Sequence, residues 1–383
     1  SATDFTRCSF AEIEAVLREI ATLQEAFIPI VGSANAASGP WQPALEATIQ
    51  DSALIDRLQA GSGAVASAEH GYRLYEIAEG KSTVEAFLRD FGHRAVYETD
   101  ARNPRWVEDP SWVLAQVEAI RAKPPERDPR ESAAEVRREA EREVRRRFPW
   151  RAPIVLWCAR KLRDAMAARE DCKSAMVSMI LPVRLAMLEV GRRLVAAGQL
   201  DSPEQMFQLA QADVLCLLRG YWDGSGAREL ARDREQRQEA WLAEECPDVI
   251  TESPEGGIVE APSPDGSRAS VDGVWSGIAV SPGIAAGVAR LVRHPGDTAH
   301  LQQGDVLCAP STDPGWTPLF LRASAIVMET GGYLSHGSIV AREYGIPAVA
   351  NVPGILSALR DGERIMVDGS QGKIMRSEER TGR

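Results

Sequence analysis

Ala325-Ile-Val-Met-Glu-Thr-Gly-Gly-Tyr-Leu-Ser-His-Gly-Ser-Ile-Val-Ala-Arg-Glu-Tyr-Gly-Ile-Pro347 is the stretch on which the reading of the chain turns. Its first residues, Ala325 to Met328, form a short apolar run of strand character. The run breaks at Gly331 and Gly332 and gives way to a helical pattern opening near Ser335. His336 therefore falls at or near a helix N-terminus, where free amides and the helix dipole stabilise an anion by about 0.3 to 1 kcal/mol. The two glycines let the backbone approach a ligand without a side chain in the way. A nitrogen nucleophile beside an anion cradle is what a phosphohistidine relay requires. The alternative from physics alone is a polar residue capping a helix.

Around this segment, strand-like runs at Gly287 to Val292, Val306 to Ala309 and Arg364 to Val367 alternate with Gly-Asp and Asp-Gly turns. They outline a small β/α domain over 275–376, with a tail at 377–383. Before it, 251–274 turns to Ser, Pro, Gly, Asp and Glu, a composition too polar and too rich in breakers for a packed element, so a mobile linker is expected there. Residues 1–250 read as a large all-α domain, and the fold class is α+β multidomain. Ser9 with Glu12, and Ser82 with Glu85, have the spacing of capping boxes ahead of apolar series. Clusters of glycine and proline at Gly39 to Pro43 and Lys123 to Pro129 mark breaks between helices. The Glu/Arg blocks from Glu131 to Arg147 read as a solvated helix. One long helix follows from Ile154 to about Ala197, kinked at Pro182 and stopped by Gly198, and the next starts at Asp201 or Ser202 with Pro203 at an early position.

The chain has 383 residues and a formal net charge of -11, which argues against a general affinity for nucleic acid or anionic membrane. It shows neither an apolar run of membrane-spanning length nor a secretory signal, so a soluble, cytoplasmic protein is expected. Cys8, Cys158, Cys172, Cys216, Cys246 and Cys308 lie far apart, a pattern with no metal or redox motif in it. His70, His294 and His300 stand in no recognisable motif.

The runs Thr312-Asp-Pro-Gly-Trp-Thr-Pro-Leu-Phe320, Gly331-Gly-Tyr-Leu-Ser-His336 and Ala341-Arg-Glu-Tyr-Gly-Ile-Pro-Ala-Val349 resemble the swivelling phosphohistidine domain of the phosphoenolpyruvate-utilising enzymes. Ser281-Pro-Gly283 and Val367-Asp-Gly369 are similar to its entry and exit strands. The pattern after His336, and the domain's place at the C-terminal end of the sequence, resemble the rifampin phosphotransferase branch more than the dikinases and synthases, which carry a large barrel after this domain. Phe91-Gly-His93-Arg94, Glu98, Asp100, Pro104-Arg-Trp106 and Asp109-Pro110 are similar to that branch's acceptor domain, as are Leu188 to Gly198 and Met206 to Leu209. Arg169-Glu-Asp-Cys-Lys173 matches the Arg and Lys pair beside its phosphohistidine.

The resemblance implies a phosphotransferase in which His336 is the carrier, Arg169 and Lys173 neutralise the moving group, and His93, Arg94, Glu98 and Asp100 face the acceptor. Gly331, Gly332, Ser335 and Arg342 would form the phosphate cradle. His93 with Glu98 either orients or deprotonates an acceptor hydroxyl or is a buried pair joining two helices. Arg342 either binds phosphate or pairs with Glu343 or Asp368. Nothing here resembles the branch's ATP-binding domain, so magnesium and ATP are expected through a separate nucleotide-binding domain or subunit, with no metal held by this chain. Either the chain is a fragment, or it is one subunit of a split enzyme, or its lineage has lost phosphoryl transfer. The expected partners are that ATP-binding half and a small-molecule hydroxyl acceptor, with phosphate ester formation or, through elimination of phosphate, net dehydration as the outcome. The alternatives are a non-catalytic small-molecule binder and a subunit of a phosphoenolpyruvate-dependent enzyme.

Overall fold

The computed structural model describes residues 4–61, 66–122, 124–125, 127–244, 250–252, 258–260, 273–297, 301–333 and 335–377. Its helices run α1 (Phe10–Ala36), α2 (Trp41–Ile49), α3 (Ser52–Gln59), α4 (Ala66–Ala78), α5 (Val84–Phe91), α6 (Ser111–Ala122), α7 (Pro129–Arg147), α8 (Ala152–Ser178), α9 (Ile180–Ala196), α10 (Gln211–Leu218) and α11 (Ala227–Leu242). The strand-bearing part follows as β1 (Ile250–Glu252), β2 (Ile258–Glu260), β3 (Val274–Ser276), β4 (Ile278–Ser281), β5 (Ile284–Leu291), β6 (Asp305–Ala309), α12 (Thr317–Phe320), β7 (Ala323–Met328), α13 (His336–Tyr344), β8 (Ala348–Ala350), α14 (Ile355–Ala358), β9 (Arg364–Asp368) and β10 (Lys373–Arg376). A large helical region is thus followed by a mixed sheet with helices, the α+β arrangement expected.

Local chemistry explains most boundaries. Ahead of α1, the Ser9 amide donates to Glu12 Oε2 at 2.7 Å and the Glu12 amide donates to Ser9 Oγ at 3.3 Å, a complete capping box. Ahead of α5 the cap is Thr83, not Ser82: Thr83 has the extended backbone of an N-cap, and its hydroxyl accepts from the Ala86 amide at 3.2 Å. The expected long helix with a kink at Pro182 is two helices. The chain breaks at Met179, and Pro182 stands third in α9, where an amide has no partner to lose. The charged α7 is more than a solvated rod. Asp128 caps it, Ala133, Ala140 and Val144 are buried beneath it, and Arg57–Glu143 (2.5 Å) and Arg147–Asp51 (2.6 Å) tie it to α3 and its cap. The helical stretch 152–196 is long and apolar enough, by length and composition alone, to cross a bilayer, a test that the core helix of a soluble protein also passes. Arg160, Arg163, Asp164, Arg169 and Lys173 interrupt its first part.

Contacts divide the chain into two compact units, each made of separated segments. The first comprises Ser1–Ile30, Thr99–Pro104 and Ala175–Pro264. Its core gathers Phe5, Ile13, Ala186, Val190, Leu194, Leu200, Met206 and Val214. A Cβ on Gly191 would run into the Pro203 backbone, so a bare position there lets α9 lie against the 3-10 turn Pro203–Gln208. A cavity of about 460 Å³ opens in this unit, walled by Leu17, Ile20, Val183, Met187, Phe207 and Leu215. At its edge the buried Glu14 carboxylate is held by Arg18 and by Arg219, the latter at 2.8 Å. Within the expected linker, β1 and β2 pair antiparallel, which local backbone bonding permits even in polar sequence. Residues 253–257 and 261–272 of that linker lie outside the described residues.

The second unit comprises Val31–Glu98, Arg105–Ser174 and Asp265–Arg383. Its sheet has the order β3-β10-β9-β5-β6-β7-β8-β4. The four neighbours β5 to β8 are parallel, with α12 crossing over from β6 to β7 and α13 from β7 to β8, and the flanking pairs are antiparallel. On one side Cys308, Val327, Val349, Ile365 and Val367 pack with Ile355 and Leu356 of α14. On the other, Trp316, Phe320, Ile339 and Tyr344 share a core with Leu58, Tyr72, Leu74 and Leu162 from the helical segments.

Candidate functional site

His336 is the first residue of α13, at the end of the turn that leaves β7. Gly331 has φ +140°, a conformation side chains rarely adopt, and the Ser335 amide bonds back to Gly332 O at 3.0 Å to close the turn. Gly332 is different: a Cβ there would meet nothing within 4 Å, so no close approach demands it. The glycine that packing does demand is Gly337, where a Cβ would collide with Thr312 Oγ1 and stand 2.5 Å from Met328 Sδ. Ser335 occupies the N-cap position, but its hydroxyl pairs with Ser338 Oγ at 2.9 Å and makes no cap bond.

The partly buried imidazole has two unlike nitrogens. Nε2 lies 3.1 Å from the hydroxyl of the fully buried Thr317 on α12, while the buried Nδ1 has no hydrogen-bond partner among the described residues. Burial, then the charges of Lys173, Arg94 and Arg169, push its pKa well below the ordinary histidine value. The ring is neutral at pH 7, the form with a lone pair to give.

Of the residues expected around it, Lys173 and Arg94 converge on one carboxylate. Glu98 pairs with Arg94 at 3.0 Å, and Lys173 Nζ lies 3.4 Å from Glu98 Oε1. Arg105 Nη1 donates to Glu98 O at 2.7 Å, so the segment is clamped from both sides. Two cations against one anion leave net positive charge beside His336, and Arg94 Nε and Nη2 remain without partners among the described residues. Arg169 Nε donates to Asn35 Oδ1 at 3.0 Å and still contributes to the field at the histidine.

His93 is not joined to Glu98, which is committed to Arg94 and Lys173. Burial, Arg94 and Arg105 hold its pKa down to about 4, and its Nε2 is buried without a partner among the described residues. Asp100 belongs to the first unit, where it receives Arg102 Nη2 at 2.7 Å. Arg342 makes no ion pair with Glu343 or Asp368 among the described residues, and its guanidinium is turned to backbone oxygens and an aromatic ring. Nη1 donates to Val280 O at 2.9 Å, Nη2 to Tyr333 O at 2.8 Å, and the guanidinium lies 4.1 Å from the centroid of the Tyr333 ring. It braces the loop that carries the histidine.

Sequence reasoning missed four residues here. Thr317 lies within the quoted run Thr312 to Phe320 but only folding brings it to His336. Asp313, in the same run, receives the Tyr97 amide at 2.7 Å and the Gly315 amide at 2.8 Å, fixing the chain near Glu98, where Tyr97 has φ +50°. Tyr333 donates its hydroxyl to Asp56 on α3. His70, dismissed for want of a motif, is fully buried between Phe91 (4.4 Å) and Trp106 (5.6 Å), and His336, His93, Arg94 and Lys173 all act on its charge. Among the described residues, no group of three His, Cys, Asp or Glu side chains is arranged to hold a metal ion.

The model of the PEP-utilising enzyme mobile domain matches residues 301–372, and that of the rifampicin phosphotransferase fourth domain matches 79–170. A rifampicin phosphotransferase of Streptomyces sviceus is 31% identical over 77% of this chain and 34% of its own length. An uncharacterised protein of Mycobacterium tuberculosis is 34% identical, with 80% and 33% covered. The prodigiosin synthesizing transferase PigC of Serratia marcescens is 32% identical, with 77% and 33% covered. The chain spans about a third of the length of these curated relatives.

Proposed function

Because the chain joins the mobile domain of the PEP-utilising enzymes to the fourth domain of the rifampicin phosphotransferases, we propose that it is the histidine-bearing part of a phosphotransferase. In this reading a ring nitrogen of His336 attacks a phosphoryl group presented by a nucleotide-binding domain or subunit. A P–N bond forms and the P–O bond to the nucleotide breaks, its electron pair leaving with the nucleotide. The hydroxyl of a small organic molecule then attacks phosphorus, the P–O bond forms as the P–N bond breaks, and the electron pair returns to the imidazole. The released imidazole passes the hydroxyl proton on to solvent and returns to its neutral form, so atoms and charge balance.

The observation that carries this reading is a neutral imidazole at the start of α13, facing the cations Lys173, Arg94 and Arg169. Positive charge fixed in advance around a transferring phosphoryl group is where most phosphoryl-transfer catalysis arises. Thr317 sets the ring's rotation, and His93, kept neutral at pH 7 by burial, Arg94 and Arg105, orients the acceptor hydroxyl. Magnesium and ATP are assigned to that nucleotide half.

Phosphoramidate, a small phosphoryl donor that charges histidine directly, tests the reading without a partner. The expected product is an acid-labile gain of one phosphoryl group at His336, absent from His336→Ala. Labelling of other histidines with none at His336 would overturn the assignment. It would favour a second reading, a non-catalytic small-molecule binder, which the cavity of about 460 Å³ in the first unit supports.

A further inference from the structure

The second unit contains a seam where the histidine-bearing part meets the helices, and its hydrogen bonds are few enough to name. Tyr344 Oη donates to Ala68 O at 2.7 Å, the Gly61 amide to Glu343 O at 3.0 Å, and the Tyr97 amide to Asp313 at 2.7 Å. Two more join side chain to side chain among the described residues: Tyr333, three residues before His336, donates its hydroxyl to Asp56 Oδ1, and Gln42 Nε2 donates to the same hydroxyl at 3.3 Å. Arg342 holds Tyr333 from behind by its carbonyl and its ring face. A cavity of about 20 Å³ adjoins this stretch of the seam, with Gln59, Arg163, Arg342 and Glu343 on its wall beside the apolar Leu162 and Ile339.

We propose that Tyr333 and Asp56 are positioning residues that seat the histidine loop against the helices and let it go, a single proton on the carboxyl setting how firmly. The proposal rests on the reading of His336 as a travelling phosphoryl carrier.

The groups facing Asp56 are Arg342 from α13, the Tyr333 hydroxyl from the loop, and Glu46 from α2. Burial lifts its pKa to about 6 against the pull of Arg342 and Tyr333, and Glu46 adds to the lift. Freed from the seam, the carboxyl returns to about 3.9. A carboxyl whose pKa is higher in the seated state favours seating when protonated, so the seat is firmest at low pH, weakens as pH rises, and bears its full penalty above about 6. At neutral pH the carboxylate is therefore held at a cost, which suits a loop that must leave. His336 acts in the opposite sense, because its seated form resists protonation and seating weakens as pH falls below about 6.5. Comparison at fixed pH with Asp56→Asn, which cannot ionise, isolates the carboxyl.

The measurement is acylation of His336 by diethyl pyrocarbonate in the full chain, quantified by mass spectrometry, with circular dichroism melts to confirm folding. Asp56→Asn should protect His336 better than the wild-type residue, by a ratio that grows about tenfold between pH 5 and pH 7.5. Tyr333→Phe, which removes one oxygen and with it a hydrogen bond that favours the carboxylate, should raise acylation and enlarge the advantage of Asp56→Asn, measured as the double variant against Tyr333→Phe alone. A ratio that does not change with pH, or one that Tyr333→Phe leaves unaltered, would overturn the proposal. Acylation needs no phosphoryl transfer, so failure of the seat and failure of His336 to take a phosphoryl group are read separately.

Discussion

An imidazole that must attack phosphorus is useful only while neutral, and at His336 that state is imposed by its surroundings, burial first and then Lys173, Arg94 and Arg169. On the proposed reading the same cations would serve the anion once it arrives, so that one arrangement prepares the nucleophile and receives its cargo. Thr317 adds direction. Losing a hydrogen bond of this kind costs about 1 kcal/mol. Thr317→Val should therefore slow charging of His336 by phosphoramidate about fivefold, with Thr317→Ser restoring most of it, as timed by mass spectrometry. His336 itself was legible, because a strand, two glycines and a helical pattern bracket it in sequence. Thr317 and His70 were not, since each reaches the site through tertiary contacts that leave no local spacing to read. Arg342 shows the opposite error: its nearness to His336 in sequence suggested a ligand, yet its guanidinium is committed to Val280 O, Tyr333 O and the Tyr333 ring.

Among the elements, α5 offers a test of how far spacing can be trusted. Ser82 and Glu85 have the capping-box interval, but Thr83 makes the bond. Thr83→Ala should lower stability by about 1 kcal/mol and Ser82→Ala by much less, measured as denaturation midpoints. Two adjacent cap-forming residues cannot be ranked from sequence, because the choice depends on where the backbone turns. The division between α8 and α9 was hidden for a related reason. The apolar pattern continues through Met179, and Pro182 drew attention to a position where it does no harm. In the sheet, β5, β6, β7 and β9 were visible as runs of strand residues, whereas β4 and β8, at 4 and 3 residues, are too short to display alternation.

For the whole molecule, chain order and compactness part company. Segments 31–98 and 105–174 cluster with the strand-bearing part rather than with the other helices, an outcome fixed by long-range burial that no linker composition reveals. The same burial writes a pH signature. His70, His93 and His336 all have pKa values below the ordinary histidine value, so the unfolded chain takes up protons first and stability declines as pH falls through about 6.5, for His93 continuing toward about 4. Asp56 opposes the trend, gaining stability as it protonates below about 6. His70 stands among aromatic rings and both its nitrogens are unpaired among the described residues, so phenylalanine suits its place. His70→Phe should flatten the loss of melting temperature between pH 6.5 and pH 5; an unchanged slope would show that His70 titrates normally.

Gly71 on α4 fixes a tolerance. A Cβ there would collide with Tyr344 Oη, the group that caps the fit of α13 onto the helices by bonding Ala68 O. A bare backbone is thus the clearance between α4 and α13, and any carbon added at that point is a shim. It would prop α13 away from its seat by its own thickness and carry the His336 ring off the charges of Lys173 and Arg94, with every group at the site still intact. On the proposed reading, alignment of the carrier is a matter of empty space as much as of grip.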